Sequence, residues 1–437
     1  MPALAESDCP RPASPARSTT FGALRTRNFR LFATGQLFSN TGSWVQRVAQ
    51  DWLVLTLTGS AAAVGVTTAL QFLPTLLIGL FGGLLADRYP KRTILFCTQI
   101  GMATMAGLLG YLTLSGSVAP WHVYLIAFGL GTVTAIDNPT RQAFVNEMVG
   151  PDQLRNAISI NSSVFQLGGL VGPAISGALI GSVGPGYSFA INAVSYVAPV
   201  LALARMRPAE LTVLPRVTAG PGQLRDGLRY GLARPDILWP TILVGAFGMF
   251  TANLPVTLAA YAKSVFHSGA GGYGLLSTVV AVGSLTGALI SARRPRPRLR
   301  TLLVFGAGLS MLYVLAAAAP SQPIFCGVLF TVGCGTLLLL TSANSTVQLA
   351  AHDTMRGRVM GLYLLVFVGS AAVGGPLVGS IDQHLGPRGG MLMAGVVPAV
   401  AAALVATVLA RRALARQAPV RSAAPRLRSM IATLSAR

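Results

Sequence analysis

Between two apolar runs, residues 61–86 and 93–115, the chain reads Gly83-Leu84-Leu85-Ala86-Asp87-Arg88-Tyr89-Pro90-Lys91-Arg92. Each flanking run is long enough to cross the hydrocarbon core of a bilayer, which takes about 20 apolar residues in a helix. Three cations packed into the short link are what a cytoplasmic loop carries under the positive-inside rule. Ten further apolar stretches lie outward from this loop: roughly 29–57, 121–140, 156–181, 187–205, 236–260, 271–292, 301–319, 322–349, 359–383 and 389–410. The segments are too long for membrane strands and lack period-two alternation. The expected fold is an all-α membrane protein with twelve transmembrane helices.

Composition agrees. Of 437 residues, 52% are hydrophobic and 10% charged, with a mean hydropathy of +0.62. A soluble domain carries roughly 25% charged residues, so the bilayer must be the solvent. The net charge of +21 suits either a nucleic-acid surface or positive-inside loops, and its distribution decides. Thirty of the 33 Lys and Arg fall in the two tails and the even-numbered junctions. Lys263 and Arg388 lie opposite, and Arg47 lies within a span. This alternation predicts a multi-pass protein of the cell membrane with both termini in the cytoplasm, partnered by lipid and not by nucleic acid. Residues 1–25 are polar and Pro-rich, without the apolar core of a signal peptide, so the first span is expected to be retained.

The longest internal connection divides the chain. The expected organisation is a polar tail over 1–25, a six-helix bundle over 26–205, a cytoplasmic linker over 206–235, a second six-helix bundle over 236–411 and a basic tail over 412–437. The halves carry traces of one another. Asn138-Pro-Thr-Arg-Gln142 ends span four as Asn344-Ser-Thr-Val-Gln348 ends span ten. Arg155 precedes Gly172-Pro173 by the interval that separates Arg358 from Gly375-Pro376. Two pseudo-symmetric bundles are what such duplication builds.

Three groups of residues carry candidate chemistry. At the mouth between spans two and three, Gly83 would allow close helix approach, and Asp87 would meet a helix N-terminus or an arginine. Arg88, Lys91 and Arg92 would hold anionic headgroups. Arg141, one turn after Asp137, is the candidate partner of Asp87 or of Asp137 itself. A topology signal alone is the other reading of the cluster. In span five, Gly168, Gly172, Pro173 and Gly177 make a small-residue stripe, either a specialised seam or a generic packing surface. In span one, Gln36, Asn40, Ser43, Arg47 and Asp51 share an arc of roughly 80°. Charges inside spans are costly unless paired or hydrated, so the stripe reads as a cavity wall, with Arg47 and Asp51 spaced to pair and Asp51 as the proton-coupling candidate. A fixed buried salt bridge is the alternative. Asn138, Asn253, Asn344 and Gln348 are further cavity candidates, and Trp44, Phe72 and Phe165 would supply apolar wall or ordinary core.

Enzyme signatures are absent. The sequence holds no Gly-x-Ser-x-Gly, no phosphate-binding glycine loop followed by Lys-Ser/Thr and no His-Glu-x-x-His. Cys9, Cys97, Cys326 and Cys334 lack metal-ligand spacing, and the four histidines are scattered. Neither metal nor cofactor is expected.

Phe29-Arg-Leu-Phe, Trp44-Val-Gln-Arg47, Asp51-Trp-Leu-Val-Leu, the 83–92 loop, Asp137-Asn-Pro-Thr-Arg141 and Arg356-Gly-Arg-Val-Met-Gly together resemble the major facilitator superfamily. The similar branch holds enterobactin exporter-like and macrolide-efflux permeases, the transmembrane secretion effectors. The loop departs from the family pattern at Pro90, where glycine is usual, and the second-half loop has Ser291 in place of the acid. The span-five stripe of Gly168, Gly172, Pro173 and Gly177 resembles the packing motif of exporters and antiporters in that superfamily, and the resemblance as a whole implies alternating access, a latch at the 83–92 loop, and export of a small hydrophobic or amphipathic molecule coupled to protons. An importer of the same fold, or a non-transporting receptor or scaffold, is the alternative. If the latch exists, Asp87→Ala impairs transport while membrane insertion, followed by immunoblot of the membrane fraction, stays normal.

Overall fold

A computed structural model describes residues 21–212, 223–293, 299–352 and 355–417, with side chains for all of these except residues 80, 84, 86, 87, 151, 223–227 and 412–417. Most of both tails and the middle of the linker lie outside the described residues. Every regular element described is helical. The first half begins with α1 (Arg27–Thr58), α2 (Ala61–Arg88) and α3 (Lys91–Leu114). The run Pro120–Val183 breaks at Gly150, φ 68° and ψ 178°, into α4 (120–149) and α5 (151–183). α6 is Pro185–Arg205.

The second half comprises α7 (Pro235–Val265), α8 (Gly269–Ala292), α9 (Leu299–Ala317) and α10 (Gln322–Ala350). The run from Arg356 to Gln417 breaks at Gly386, φ 74° and ψ 166°, into α11 (356–385) and α12 (387–417). Glycine permits these positive φ values without a Cβ clash, so single residues replace loops at both turns.

Among the described residues nine runs are long and apolar enough to cross a membrane, the last of them, Arg356–Arg411, holding both α11 and α12. α1 and α4 are not among the nine. Polar residues dilute them: α1 alone carries Asn28, Gln36, Asn40, Gln46, Arg47, Gln50 and Asp51. With those two added and the last run divided, the backbone accommodates the twelve segments expected.

The packing partners repeat. α1 lies on α5 and α6, α2 on α4, and α3 on α6; correspondingly α7 lies on α11, α8 on α10, and α9 on α12. Both halves use one device, a glycine set against a neighbour's carbonyl. Gly82 faces Ala135 O and Gly131 faces Gln71 O, while Gly283 faces Phe330 O and Gly333 faces Val280 O. Lipid offers no hydrophobic drive between helices, so this close approach supplies the van der Waals contact that holds them. At the Arg-rich end of the first half, Phe29, Phe32, Leu95, Phe144 and Leu203 form a buried apolar cluster.

The halves meet through α5 on α8 and α2 on α11. A Cβ on Gly274 would lie 2.7 Å from the Cα of Gly177 and 2.8 Å from the carbonyl of Pro173. Gly65 and Gly375 face each other's carbonyls, and a Cβ on Gly379 would lie 2.9 Å from the Cα of Ala62. These contacts cluster toward the helix ends joined at Gly59, Gly184, His267 and Gly386. Cross-half hydrogen bonds reinforce the same end: Lys263 Nζ donates to Leu55 O at 2.8 Å, and Ala61 N–H donates to Gln383 Oε1 at 3.0 Å. No such glycine seam joins the Arg-rich ends of the two halves among the described residues.

α7 is the irregular member. It is helical over Pro235–Thr251 and Leu254–Ala260, with a π turn at Tyr261–Val265. Pro255 removes a donor at the break. There Asn253 N–H turns to Phe250 O at 3.2 Å, and its side-chain Nδ2 serves Met249 O at 2.7 Å and Ala371 O at 3.1 Å. Asn253, expected as a cavity residue, is thus a fully buried joint between α7 and α11.

The α5–α8 seam is directly testable. On a cysteine-free background, Gly177→Leu should force the two helices apart. A cysteine placed at Ala270 should then react at least about threefold faster with a membrane-impermeant maleimide, since a buried side chain reacts only when its seam opens.

Candidate functional site

The polar stripe of α1 is shared among three neighbours. Toward the Arg-rich end, Gln36 is 2% exposed and Asn40 is buried. Their oxygens accept from Arg141 NH1 of α4, at 2.8 Å and 3.5 Å. Arg141 also pairs with Asp137 one turn earlier. Asp137 is fully buried and further accepts from Thr98 Oγ1 at 2.7 Å and Gln99 Nε2 at 2.9 Å. This network ties α1, α3 and α4 inside one bundle. Asp137 is one of the two partners expected for Arg141; the side chain of the other, Asp87, lies outside the described residues.

Midway along α1, Ser43 Oγ shares a hydrogen bond of 2.9 Å with Tyr196 OH, and Asn192 Nδ2 donates to Gln46 Oε1 at 2.6 Å. Both join α1 to α6. Trp44 sits over the small residues of α5. A Cβ on Gly168 would lie 3.1 Å from Trp44 Cδ1, and one on Gly172 2.5 Å from Trp44 Cβ. The span-five motif therefore has two faces: Gly168 and Gly172 receive α1, whereas Pro173 and Gly177 receive α8 of the other half.

Nearest the joined end stands Asp51, 3% exposed. It does not form the expected ion pair with Arg47, four residues before it. Asp51 Oδ2 accepts from Tyr273 OH of α8 at 2.9 Å, a hydrogen bond between the halves. Tyr273 is fully buried and stacks on Trp52, ring centroids 6.3 Å apart. Arg47 is exposed. Its guanidinium lies 5.0 Å from the Trp44 ring centroid and 6.0 Å from that of Phe72 on α2. Phe165 of α5 is exposed and meets Trp44 edge-on at 5.8 Å.

The remaining candidates are dispersed. Asn138 is exposed on α4. Gln348 Nε2 donates to Asn344 Oδ1 at 2.7 Å along α10. The close approach expected at Gly83 is made instead by its neighbour Gly82; a Cβ on Gly83 would meet nothing within 4 Å. Arg88 is exposed. Arg92 donates to Leu203 O at 2.8 Å and Ala204 O at 3.2 Å, so it caps the C-terminus of α6, where a cation suits the helix dipole. Lys91 Nζ pairs with Glu147 Oε1 of α4 at 2.6 Å.

Sequence reasoning passed over three participants. Tyr273 and Lys263 gave no local signal, because their partners lie in the other half. Asp382 did give one, as an acid inside span eleven. It is buried and accepts from Thr257 Oγ1 of α7 at 2.8 Å.

A multi-span helical protein whose two repeated halves are joined at one end, beside an accessible intramembrane arginine, has the build of a membrane transporter and not of an enzyme. The chain belongs to the transmembrane secretion effector family of the major facilitator superfamily, whose model matches residues 18–433. It is similar to the staphyloferrin A transporter of Staphylococcus aureus, 25% identical over 74% of this chain and 82% of that protein. It is 27% identical to the multidrug efflux pump Tap of Mycobacterium tuberculosis, over 81% of this chain and 87% of the pump. It is also 27% identical to the enterobactin exporter EntS of Salmonella choleraesuis, over 77% and 78%.

Among solved structures, a bacterial homologue of the lysosomal transporter Spinster, inward-facing and unoccupied, shares the fold. Its TM-score is 0.69 at 17% identity, over 87% of this chain and 96% of that one. A nucleoside transporter scores 0.67 at 13% identity, over 88% and 99%.

Breaking the Asp137–Arg141 pair should be costly. Arg141→Ala leaves a fully buried carboxylate short of its counter-charge, a loss of about 3–5 kcal/mol. Thermal unfolding in detergent should show a clear drop in midpoint. The double variant Asp137→Asn with Arg141→Met should recover part of it.

Proposed function

We propose that this chain is a secondary active exporter, coupled to protons, of a small hydrophobic or amphipathic molecule. In this reading two six-helix bundles, residues 26–205 and 236–411, rock about the linker 206–235. Both tails lie in the cytoplasm of a cell-membrane protein. The positive-inside rule then makes the Arg-rich end cytoplasmic, the joined end is the outer one, and the conformation is inward-facing. Asp87, with Arg88 and Arg92, keeps its role as a cytoplasmic latch that engages when that end closes. Export is favoured over import by what two relatives, the efflux pump Tap and the enterobactin exporter EntS, are called, and by the likeness of the Gly168–Gly177 motif to that of exporters in the superfamily.

One observation carries the reading: the acid expected to couple protons is also the hydrogen-bond partner that joins the halves. As a carboxylate, Asp51 accepts from Tyr273. Protonation removes its charge and weakens it as an acceptor, which loosens the joined end. Proton uptake and opening are thereby linked through one atom pair, and no nucleotide-binding motif in the sequence offers another energy source.

The test is flux in proteoliposomes under an imposed pH gradient, with antibiotics and siderophores as the panel. Wild-type protein should move at least one compound in the direction opposite to protons. Asp51→Asn should reduce that flux to the level of empty vesicles while leaving insertion intact. Retained pH-driven flux in this variant would remove Asp51 from coupling.

A further inference from the structure

The transport reading leaves the chemical class of the cargo open, and the surroundings of Arg47 narrow it. From Val45 to Leu55 every residue of α1 is buried except Arg47, which is exposed, and Trp52, which is half-buried. This exposure is not toward lipid. Asp51, one turn further on, bonds to Tyr273 of the opposite half, and residues four apart share a helix face. Arg47 therefore projects toward the same opposite half, one turn further from the joined end. Phe72 of α2 and Trp44 flank its guanidinium, and Phe165 extends the aromatic wall.

The guanidinium makes neither an ion pair nor a hydrogen bond among the described residues. The intramembrane acids are committed elsewhere: Asp137 to Arg141, Asp382 to Thr257, and Asp51 to Tyr273. Five donors in a planar fork stand ready between π faces, in a region where an unmatched charge is expensive. A polar residue kept only for hydration would not need an aromatic frame; a binding site for a flat, charged molecule would.

We propose that Arg47 is an anion subsite, and that the cargo is an aromatic or otherwise flat amphiphile bearing a carboxylate, sulfonate or comparable acidic group. This inference rests on the exporter reading given above. The acid of the ligand forms a charge-assisted, fork-like contact with the guanidinium, and its ring lies along Trp44, Phe72 and Phe165. Asp51 tunes the subsite. Its charge, one turn away, competes with the ligand for Arg47, so neutralising Asp51 strengthens anion binding.

The experiment uses three fluorescent probes with one common ring system: dansylglycine (anionic), dansylamide (neutral) and dansylcadaverine (cationic). Each is titrated into the purified full-length protein in detergent. Wild-type protein should prefer dansylglycine. Arg47→Gln should weaken dansylglycine by about tenfold or more, with dansylamide nearly unchanged. Arg47→Lys should keep part of the preference. Asp51→Asn, which a merely structural role would not improve, should tighten dansylglycine by about threefold or more. Wild-type protein that binds dansylglycine no better than dansylamide overturns the proposal. So does an Arg47→Gln protein, eluting normally, that loses all three probes alike. Either result leaves proton-driven flux, the separate measure of the transport reading, where it stood.

Discussion

Everything distinctive about this molecule depends on a hydrogen bond from a tyrosine to a carboxylate across the middle of a membrane protein. Tyr273 and Asp51 belong to different halves, and burying a charge in a span is tolerated only with a partner or water. The partner here is neutral. The bond therefore offsets part of the cost of burial without cancelling the charge. Had Arg47 taken the acid as its direct counter-ion, the halves would have lost this contact. The close glycine contacts on either side bring the backbones near enough for that side-chain bond to form.

The polar residues sort by depth. Around Asp137 the network is fully internal to one half and is satisfied from α1, α3 and α4. It is a rigid brace. Further along α1 the hydrogen bonds pass to α6, and only at Arg47 and Asp51 does the helix address the other half. One helix thus acts as a brace within its own half at one end and as a contact between the halves at the other. The two faces of the α5 glycine motif mirror this division, four residues of one stripe serving first an internal and then an external neighbour.

Much of the architecture was legible in the residues. Apolar length, the alternation of Arg and Lys, and the repeated Asn and Gly-Pro signatures define a duplicated helical membrane protein. Gly150 and Gly386 show why boundaries were less legible, since a one-residue turn leaves no polar loop to mark it. The site was legible by composition but not by partner. The arc containing Gln36, Asn40, Arg47 and Asp51 is real, yet periodicity on one helix cannot say which neighbour each turn meets. Gln36 found an arginine three spans on in the chain, and Asp51 found a tyrosine more than two hundred positions on. Asn253 shows the same limit: an amide in a span signals a polar requirement, and the partners its Nδ2 meets are backbone carbonyls of α7 and α11.

That break sets the two halves apart mechanically. α1 runs for 32 residues without interruption, whereas α7, its counterpart by packing, is segmented at Asn253 and again wound wide at Tyr261–Val265. The repeat is one of topology and not of stiffness: a straight strut is opposed by a jointed one. Strain applied where the halves are fastened will concentrate in the jointed member, because bending it sacrifices fewer intact backbone hydrogen bonds. The second half is thus the more compliant partner of the pair, and the first, with its uninterrupted α1, the stiffer one.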